Sequence, residues 1–382
     1  ADVPSADGNL TAEEFGSMGG IHVPARSAAA DLAPGRGQRR GFTMVELMIV
    51  ILIIGVVVAI VFPVLTGARN AARKAATTAL MTDLANASTQ FYTDHNRYPG
   101  YFSPMQMGHA ENINRGFTAM ENIILDLAGG IVQSGASPDI IDVGPRSGSN
   151  NTVKVDLTRI GAASEESKRY WQPDKKYYVA QEGDKQVGEN AHKRLPDVVD
   201  AWGTPILAWV QDDPGLAANT HFALEKFDGG ANADRARYYW ASNAGFLKSK
   251  NLGRLSRNQP QNSTEAESGY SLLGERNNMR EVEGPLAGFL GHPAYPDPNP
   301  ANEAPFNDST PKIGRAAIVF HSAGSDGYYL GSNDVGGKTS GPNRVLKYNP
   351  PAPAAVAGSP VPRQPDPLDG FDDLIVNAGS SN

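Results

Sequence analysis

An unbroken run of sixteen uncharged, mostly branched apolar residues extends from Leu47 to Phe62. The 22 residues from Met44 to Leu65 would form an α-helix about 33 Å long at ~1.5 Å per residue. That length is enough to cross the ~30 Å hydrocarbon core of a bilayer. The run is too long for the apolar core of a secretory signal peptide, and no small-residue cleavage site follows it. The sequence therefore predicts a membrane-spanning helix near its N-terminus.

The remainder of the chain is polar, which limits the classes of protein it can represent. The chain has 382 residues and a formal net charge of −7, which argues against direct binding of nucleic acid. It has no cysteine, which excludes disulfides, thiolate metal sites and cysteine nucleophiles. No G-x-S-x-G, H-E-x-x-H or P-loop motif occurs, and the seven histidines are scattered. We therefore predict that the protein is not an enzyme.

A short motif overlaps the start of the apolar run, with Gly41, Phe42, Thr43 and Glu46 in the stretch GFTMVE. This stretch and the helix after it closely resemble the processing site and N-terminal helix of type IV prepilins and type II secretion pseudopilins. The resemblance implies a cytoplasmic leader at residues 1–41, cleavage by a prepilin peptidase between Gly41 and Phe42, and N-methylation of Phe42. A signal anchor that tolerates a terminal glutamate is the alternative.

Glu46 and Pro63 are expected to act in filament assembly. An ionised carboxylate is unfavourable in a membrane, by roughly 2.5–3.5 kcal/mol at the centre of a span. The resemblance implies a partner, because Glu46 would meet the Phe42 amine of a neighbouring subunit in the assembled filament. Charge pairing at low dielectric would then favour the correct axial register. Pro63 matches the family's proline, which kinks or locally melts this helix.

The helix is predicted to continue beyond the membrane and to end at the stretch NRYP, residues 96–99. Apolar residues recur at helical spacing and form one stripe, namely Ala76, Leu80, Leu84, Ala87 and Phe91. Farther along, residues 200–205 have the sequence DAWGTP and precede ILAWV. This resembles the turn before a sheet strand in major pseudopilins, and Trp202 is expected to pack on the stripe.

Residues 100–195 and 211–315 exceed the compact pattern of that family and look like insertions. Within the first insertion, apolar spacing predicts a helix at residues 120–127 that ends at Gly129. Alternating apolar residues predict a strand at residues 153–157. The sequence assigns no function to either insertion.

Residues 316–330, AAIVFHSAGSDGYYL, predict a strand followed by a loop. They resemble a strand and Gly-Asp-Gly loop of major pseudopilins, where the loop binds calcium together with a downstream acidic pair. The resemblance makes Asp326, Asp372 and Asp373 candidate calcium ligands, with Asp334 as a further candidate. Calcium takes six to eight oxygen ligands, several of them from carboxylates and backbone carbonyls. The alternative is that these acidic side chains are simply solvated.

Together these features predict an α+β, pilin-like fold. A long N-terminal helix, half of it transmembrane, would pack on a small antiparallel sheet with long loop insertions. The predicted division is a prepilin leader at 1–41, a filament-core half of the helix at 42–65, an amphipathic half at 66–98, and a periplasmic head at 99–382.

The predicted function is that of a structural subunit of a type II secretion pseudopilus. Before assembly into a homo-oligomeric filament, the subunit would cross the inner membrane once, with its head in the periplasm. The implied partners are the prepilin peptidase, minor pseudopilins, the inner-membrane assembly platform and membrane lipid. A type IV pilus subunit for adhesion, motility or DNA uptake is the first alternative. A membrane-anchored envelope binding protein or enzyme, with a ligand pocket in residues 100–315, is the second.

Overall fold

The computed structural model describes residues 41–148, 150–162, 169–172, 174–180, 190–212, 238–249, 271–274, 285–286, 288–291, 314–331, 334 and 367–379. The chain divides into two compact units, Ala1–Val61 and Phe62–Asn382, which are described separately below. Apart from Gly41, the predicted leader lies outside the described residues, and so does most of the predicted insertion at 211–315. The predicted division of the chain at residue 65 stays a prediction.

One helix, α1, runs from Met44 to His95 and includes the whole predicted span. In the first unit, every residue from Phe42 to Val61 is exposed. Among the helices of the described residues, α1 alone is long and apolar enough to cross a membrane. After its last residue, Asn96 adopts a left-handed φ of 53°, and its N–H donates to the Tyr92 carbonyl at 2.7 Å. The predicted helix end at NRYP is therefore confirmed.

Pro63 lies inside α1, and the helix continues through it without interruption. A proline removes one backbone N–H donor from a helix. That single loss does not interrupt a helix of 52 residues, so of the kink or local melting expected at this position, the melting is not observed. One turn later, the Thr66 hydroxyl donates to the Phe62 carbonyl at 2.9 Å. The role of Pro63 in filament assembly stays a prediction.

In the second unit, the predicted stripe of α1 faces the protein interior. The buried residues of α1 are Thr77, Leu80, Met81, Leu84, Ala85, Ala87, Ser88 and Phe91. Ala76, which was predicted to belong to the stripe, is only half-buried. The helical period of the sequence thus identified the correct face of α1.

The first predicted insertion folds as short helices packed on a small sheet. The helices are α2 (Pro104–Met107), α3 (Ala110–Arg115) and α4 (Ala119–Ala128). The strands are β1 (Ile131–Val132), β2 (Ile140–Val143) and β3 (Val153–Asp156), which pair antiparallel in the order β1-β3-β2. The predicted helix and strand of this insertion are confirmed as α4 and β3. Thr118 and Glu121 form a capping box at the start of α4, which is a common way to satisfy the first free N–H groups of a helix.

Three short elements then lead to the main sheet. These are β4 (Tyr178–Val179), α5 (Asn190–Arg194) and β5 (Asp197–Val198). Strands β4 and β5 pair antiparallel, with Tyr178 opposite Val198.

The main sheet contains β6 (Leu207–Val210), β7 (Ile318–Ser322) and β8 (Leu374–Ala378), and α6 (Ala244–Leu247) lies between β6 and β7 in sequence. The strands are antiparallel in the order β6-β7-β8. Ile318 and Phe320 pack on one face, in a core that also contains Leu84 of α1. Val319 packs on the other face, in a core with Trp209. These antiparallel sheets and the long apolar helix confirm the α+β class and are consistent with a pilin-like fold.

The turn at residues 200–205 connects α1 to the main sheet. Ala201 N donates to the Thr77 hydroxyl at 3.1 Å, and Trp202 belongs to the same apolar core as Leu84. Asp200 Oδ1 closes the turn by accepting N–H groups of Trp202 and Thr204, each at 2.9 Å. The predicted packing of Trp202 on the helix stripe is confirmed.

Candidate processing site and acidic loop

The predicted cleavage site lies on an exposed segment before α1. Phe42 is 77% exposed, and, chain neighbours aside, no atom of the described residues lies within 4 Å of the position that a Cβ on Gly41 would occupy. Within the part of the chain that the structure describes, the bond between these two residues is uncovered. The geometry is compatible with the predicted processing and leaves it a prediction.

Thr43 and Glu46 form a reciprocal hydrogen-bonded pair at the start of α1. Glu46 Oε2 accepts the Thr43 N–H at 2.8 Å and the Thr43 hydroxyl at 3.0 Å. The Glu46 N–H donates back to the Thr43 hydroxyl at 3.2 Å. This arrangement is a capping box, and it satisfies donors that would otherwise be free at a helix N-terminus. The capping role of Thr43 was not predicted, although the pattern Thr-x-x-Glu before an apolar run is visible in the sequence.

Three of the four predicted calcium ligands lie together beyond the end of β7. One carboxylate oxygen from each of Asp326, Asp334 and Asp372 lies within 4.8 Å of the others. Asp372 Oδ2 accepts hydrogen bonds from Ser325 N at 2.8 Å and from the Ser325 hydroxyl at 2.6 Å. It also accepts Asp326 N at 3.1 Å. These bonds hold the residues before β8 against the loop after β7.

Electrostatic repulsion is concentrated in this group of carboxylates. Burial raises the pKa of Asp326 to about 8, together with smaller contributions from the nearby carboxylates of Asp372, Asp334 and Asp373 and against a hydrogen bond from the Tyr328 N–H. Burial and the charge of Asp372 also raise the pKa of Asp334. Like charges at this distance oppose ionisation of one another, so a cation placed among them would be strongly attracted.

Asp373, the fourth predicted ligand, lies outside this group of three. Its side chain is 1% exposed, and its Oδ1 lies 2.5 Å from Nε2 of the buried His321. The same oxygen accepts the Leu330 N–H at 3.0 Å. Burial raises the pKa of Asp373 well above its usual range. The structure thus gives Asp373 partners of its own, and its assignment as a ligand stays a prediction.

The residues of this group fit calcium by their chemistry. Among the described residues, Asp334 Oδ2 and Asp372 Oδ1 are buried oxygens without a hydrogen-bond partner. Calcium prefers carboxylate oxygens, supplemented by backbone carbonyls. Asp326, Asp334 and Asp372 could therefore hold the ion, with loop carbonyls completing its shell.

Comparison with known proteins bears on the N-terminal segment. Residues 36–62 match a family model described as the prokaryotic N-terminal methylation motif. This match over a short segment supports a type IV prepilin-like protein. No curated protein and no solved structure matches the chain. The matched residues include Gly41, Phe42 and Glu46, so the match concerns the segment that contains the predicted processing site.

In a prepilin-like protein, the motif and the exposed apolar half of α1 indicate membrane anchoring. The family is structural rather than enzymatic.

The second unit also contains a cavity of about 600 Å³, the feature that an envelope binding protein would need. Its wall includes Arg97, Tyr101, Asn122, Asp212 and Tyr239. Arg97 Nη1 donates to Asp126 Oδ2 at 2.7 Å, and Tyr239 Oη donates to Asp212 Oδ2 at 2.5 Å. Asn122 Nδ2 donates to the Phe102 carbonyl at 2.8 Å. These hydrogen bonds link segments of the chain around the cavity, and the binding of a ligand there stays a prediction.

Proposed function

We propose that this protein is a structural subunit of a type II secretion pseudopilus. The methylation motif applies equally to pili and pseudopili, so the choice between them depends on the head. Two head segments resemble those of major pseudopilins, the turn at residues 200–205 and the strand β7 with the loop after it. The single observation that supports the proposal is that two hydrogen bonds join these segments directly. Ser322 Oγ donates to Asp200 Oδ2 at 2.7 Å, and Tyr329 Oη donates to the Pro205 carbonyl at 2.5 Å.

The proposed mechanism begins with cleavage between Gly41 and Phe42 by a prepilin peptidase, followed by methylation of the Phe42 amine. The subunit then crosses the inner membrane once, with its head in the periplasm. The assembly platform extracts it into a helical filament that minor pseudopilins also join. Contacts with neighbouring subunits replace lipid around the exposed half of α1. Glu46 pairs with the Phe42 amine of a neighbour and sets the axial register.

Calcium is the proposed ion at the acidic loop, with Asp326, Asp334 and Asp372 as ligands and Asp373 beside them. When bound, it would supply the positive charge that offsets the repulsion among these carboxylates. The chain's own hydrogen bonds from Ser325 and Asp326 to Asp372 already connect β7 to β8. The ion would reinforce this connection and make the head competent for assembly.

The first test is mass spectrometry of the N-terminal peptide of the full chain, expressed with and without a prepilin peptidase. We expect N-methylated Phe42 at the N-terminus only with the peptidase. Gly41→Leu should remain uncleaved, whereas Gly37→Leu, in the same leader, should be processed. An intact leader on the native protein would exclude the prepilin pathway and indicate a static membrane anchor.

A second measurement separates a pseudopilus from a type IV pilus. Deletion of the gene in its own host should leave exoproteins in the periplasm if the subunit serves secretion. Loss of surface fibres and of fibre-dependent motility or adhesion, with normal secretion, would instead assign the protein to a pilus.

A further inference from the structure

The loop between β7 and Asp334 contains a residue in an unusual backbone conformation. Leu330 has a φ of 51°, in the left-handed region that residues with a side chain normally avoid. Its side chain is fully buried, and its carbonyl accepts the Leu272 N–H at 2.9 Å. Such a conformation persists only where the surroundings enforce it. Leu330 lies between Asp326 and Asp334 in sequence, so its conformation sets the direction in which the chain leaves the loop that carries Asp326.

Asp373, which immediately precedes β8, holds the backbone of Leu330 by a hydrogen bond. Its Oδ1 accepts the Leu330 N–H at 3.0 Å and lies 2.5 Å from His321 Nε2. Because this oxygen already accepts the amide, we assign the donor role in the second bond to His321. His321 is fully buried on β7, where its ring lies 4.3 Å from the ring of Phe289 between centroids. One carboxylate oxygen thus connects the rigid sheet to the loop.

We propose that His321 is a positioning residue for the acidic loop. It orients Asp373, which holds Leu330 in the left-handed conformation and thereby keeps Asp326 and Asp334 facing Asp372. This inference rests on the proposed calcium site and adds a residue that supplies no ligand atom. Removal of hydrogen bonds behind metal ligands commonly reduces metal affinity by about 10–100-fold.

The chain offers matched variants that separate this role from simple packing. His321→Phe keeps a ring in the core but has no donor. His321→Gln places an amide N–H near the position of Nε2, whereas His321→Asn places it near Nδ1, away from Asp373. Val319→Ala is the packing control, because Val319 is buried on the same strand and in the core on the same face of the sheet, and its truncation leaves a cavity without altering the loop contacts.

The test is calorimetric titration of calcium chloride into the full chain in detergent micelles. We expect the Phe and Asn variants to bind calcium at least about tenfold more weakly than wild type, and the Gln variant to retain most of the affinity. Val319→Ala should lower the melting temperature equally in calcium and in EDTA, with unchanged calcium affinity. Unchanged affinity in both the Phe and the Asn variant would overturn the inference.

Hydrogen exchange in EDTA tests the hydrogen-bond link without the ion. Peptides covering residues 324–331 should exchange faster in His321→Phe and His321→Asn than in wild type, but not in Val319→Ala. Unchanged exchange in both histidine variants would also overturn the inference. A wild-type chain that binds no calcium would instead overturn the proposed calcium site, and the exchange rates would still decide whether His321 holds the loop.

Discussion

Glu46 is the residue whose chemistry differs most from that of its neighbours. It lies at the start of a long apolar helix, and Thr43 donates two hydrogen bonds to its carboxylate. Thr43 is neutral, so these bonds satisfy the oxygen without compensating its charge. A membrane makes that charge unfavourable, which gives a cationic partner a clear advantage. The amine that cleavage would create on Phe42 is such a partner.

Glu46→Gln separates the charge of this residue from its hydrogen bonding. Glutamine keeps an oxygen that can accept from Thr43, but it carries no charge. We expect normal cleavage and membrane insertion, with few or no filaments in the sheared fraction examined by immunoblot and electron microscopy. Glu46→Asp, which keeps the charge, is the control and should assemble better than the Gln variant. Wild-type filament yield from Glu46→Gln would contradict a role for charge pairing in register.

Asp326 is the carboxylate through which calcium dependence is most directly tested. Calcium at one hundred times its dissociation constant should stabilise the wild-type fold by about 2.7 kcal/mol. Asp326→Asn should lose most of that gain in a thermal melt. In EDTA it should be as stable as wild type or more so, because fewer like charges face one another. The exposed Asp139→Asn is the control and should respond to calcium as wild type does. Equal losses in calcium and EDTA would exclude Asp326 as a ligand.

At the scale of single elements, local patterns predicted α1, α4, β3 and the strand before the acidic loop. Each has enough residues for its apolar side chains to recur visibly, every 3.6 residues in a helix and every 2 in a strand. The strands β4 and β5 have two residues each, too few for any period. Their existence depends on pairing with each other, which is tertiary information that the sequence pattern does not contain.

The turn at residues 200–205 gives a prediction about how elements are held together. Trp202 is 7% exposed, in the core that joins α1 to the main sheet. Trp202→Ala should lower the free energy of unfolding by about 3–5 kcal/mol, as measured by denaturant titration. Trp202→Phe should cost less, because it keeps an aromatic ring in the core. Tyr101→Ala, at a side chain that is 47% exposed, is the surface control. A loss for Trp202→Ala no larger than that of the control would contradict its proposed packing role.

At the scale of the whole molecule, the acidic loop contains both contacts that the sequence predicts and contacts that it does not. Asp326, Asp334 and Asp372 were predicted as candidates and are brought together. Asp373 was predicted with them, but its partner His321 was not. That pairing follows from the register of β7 and β8, in which Ser322 lies opposite Leu374. The left-handed Leu330 was also unpredicted, because nothing in its local sequence favours this conformation and only the packed surroundings enforce it.

The division into two compact units predicts that the head does not need the span in order to fold. The second unit begins at Phe62 and has its own apolar cores, whereas residues 42–65 are exposed throughout. Because residues 42–65 contribute exposed apolar surface, a chain that lacks residues 1–65 should be soluble without detergent. We expect a cooperative melt by circular dichroism, with the same calcium-induced shift as the full chain in micelles.

Removal of residues 1–85, which also deletes the buried Leu80 and Leu84, is the control and should not fold. Aggregation or a non-cooperative melt of the shorter truncation would show that the head depends on the span.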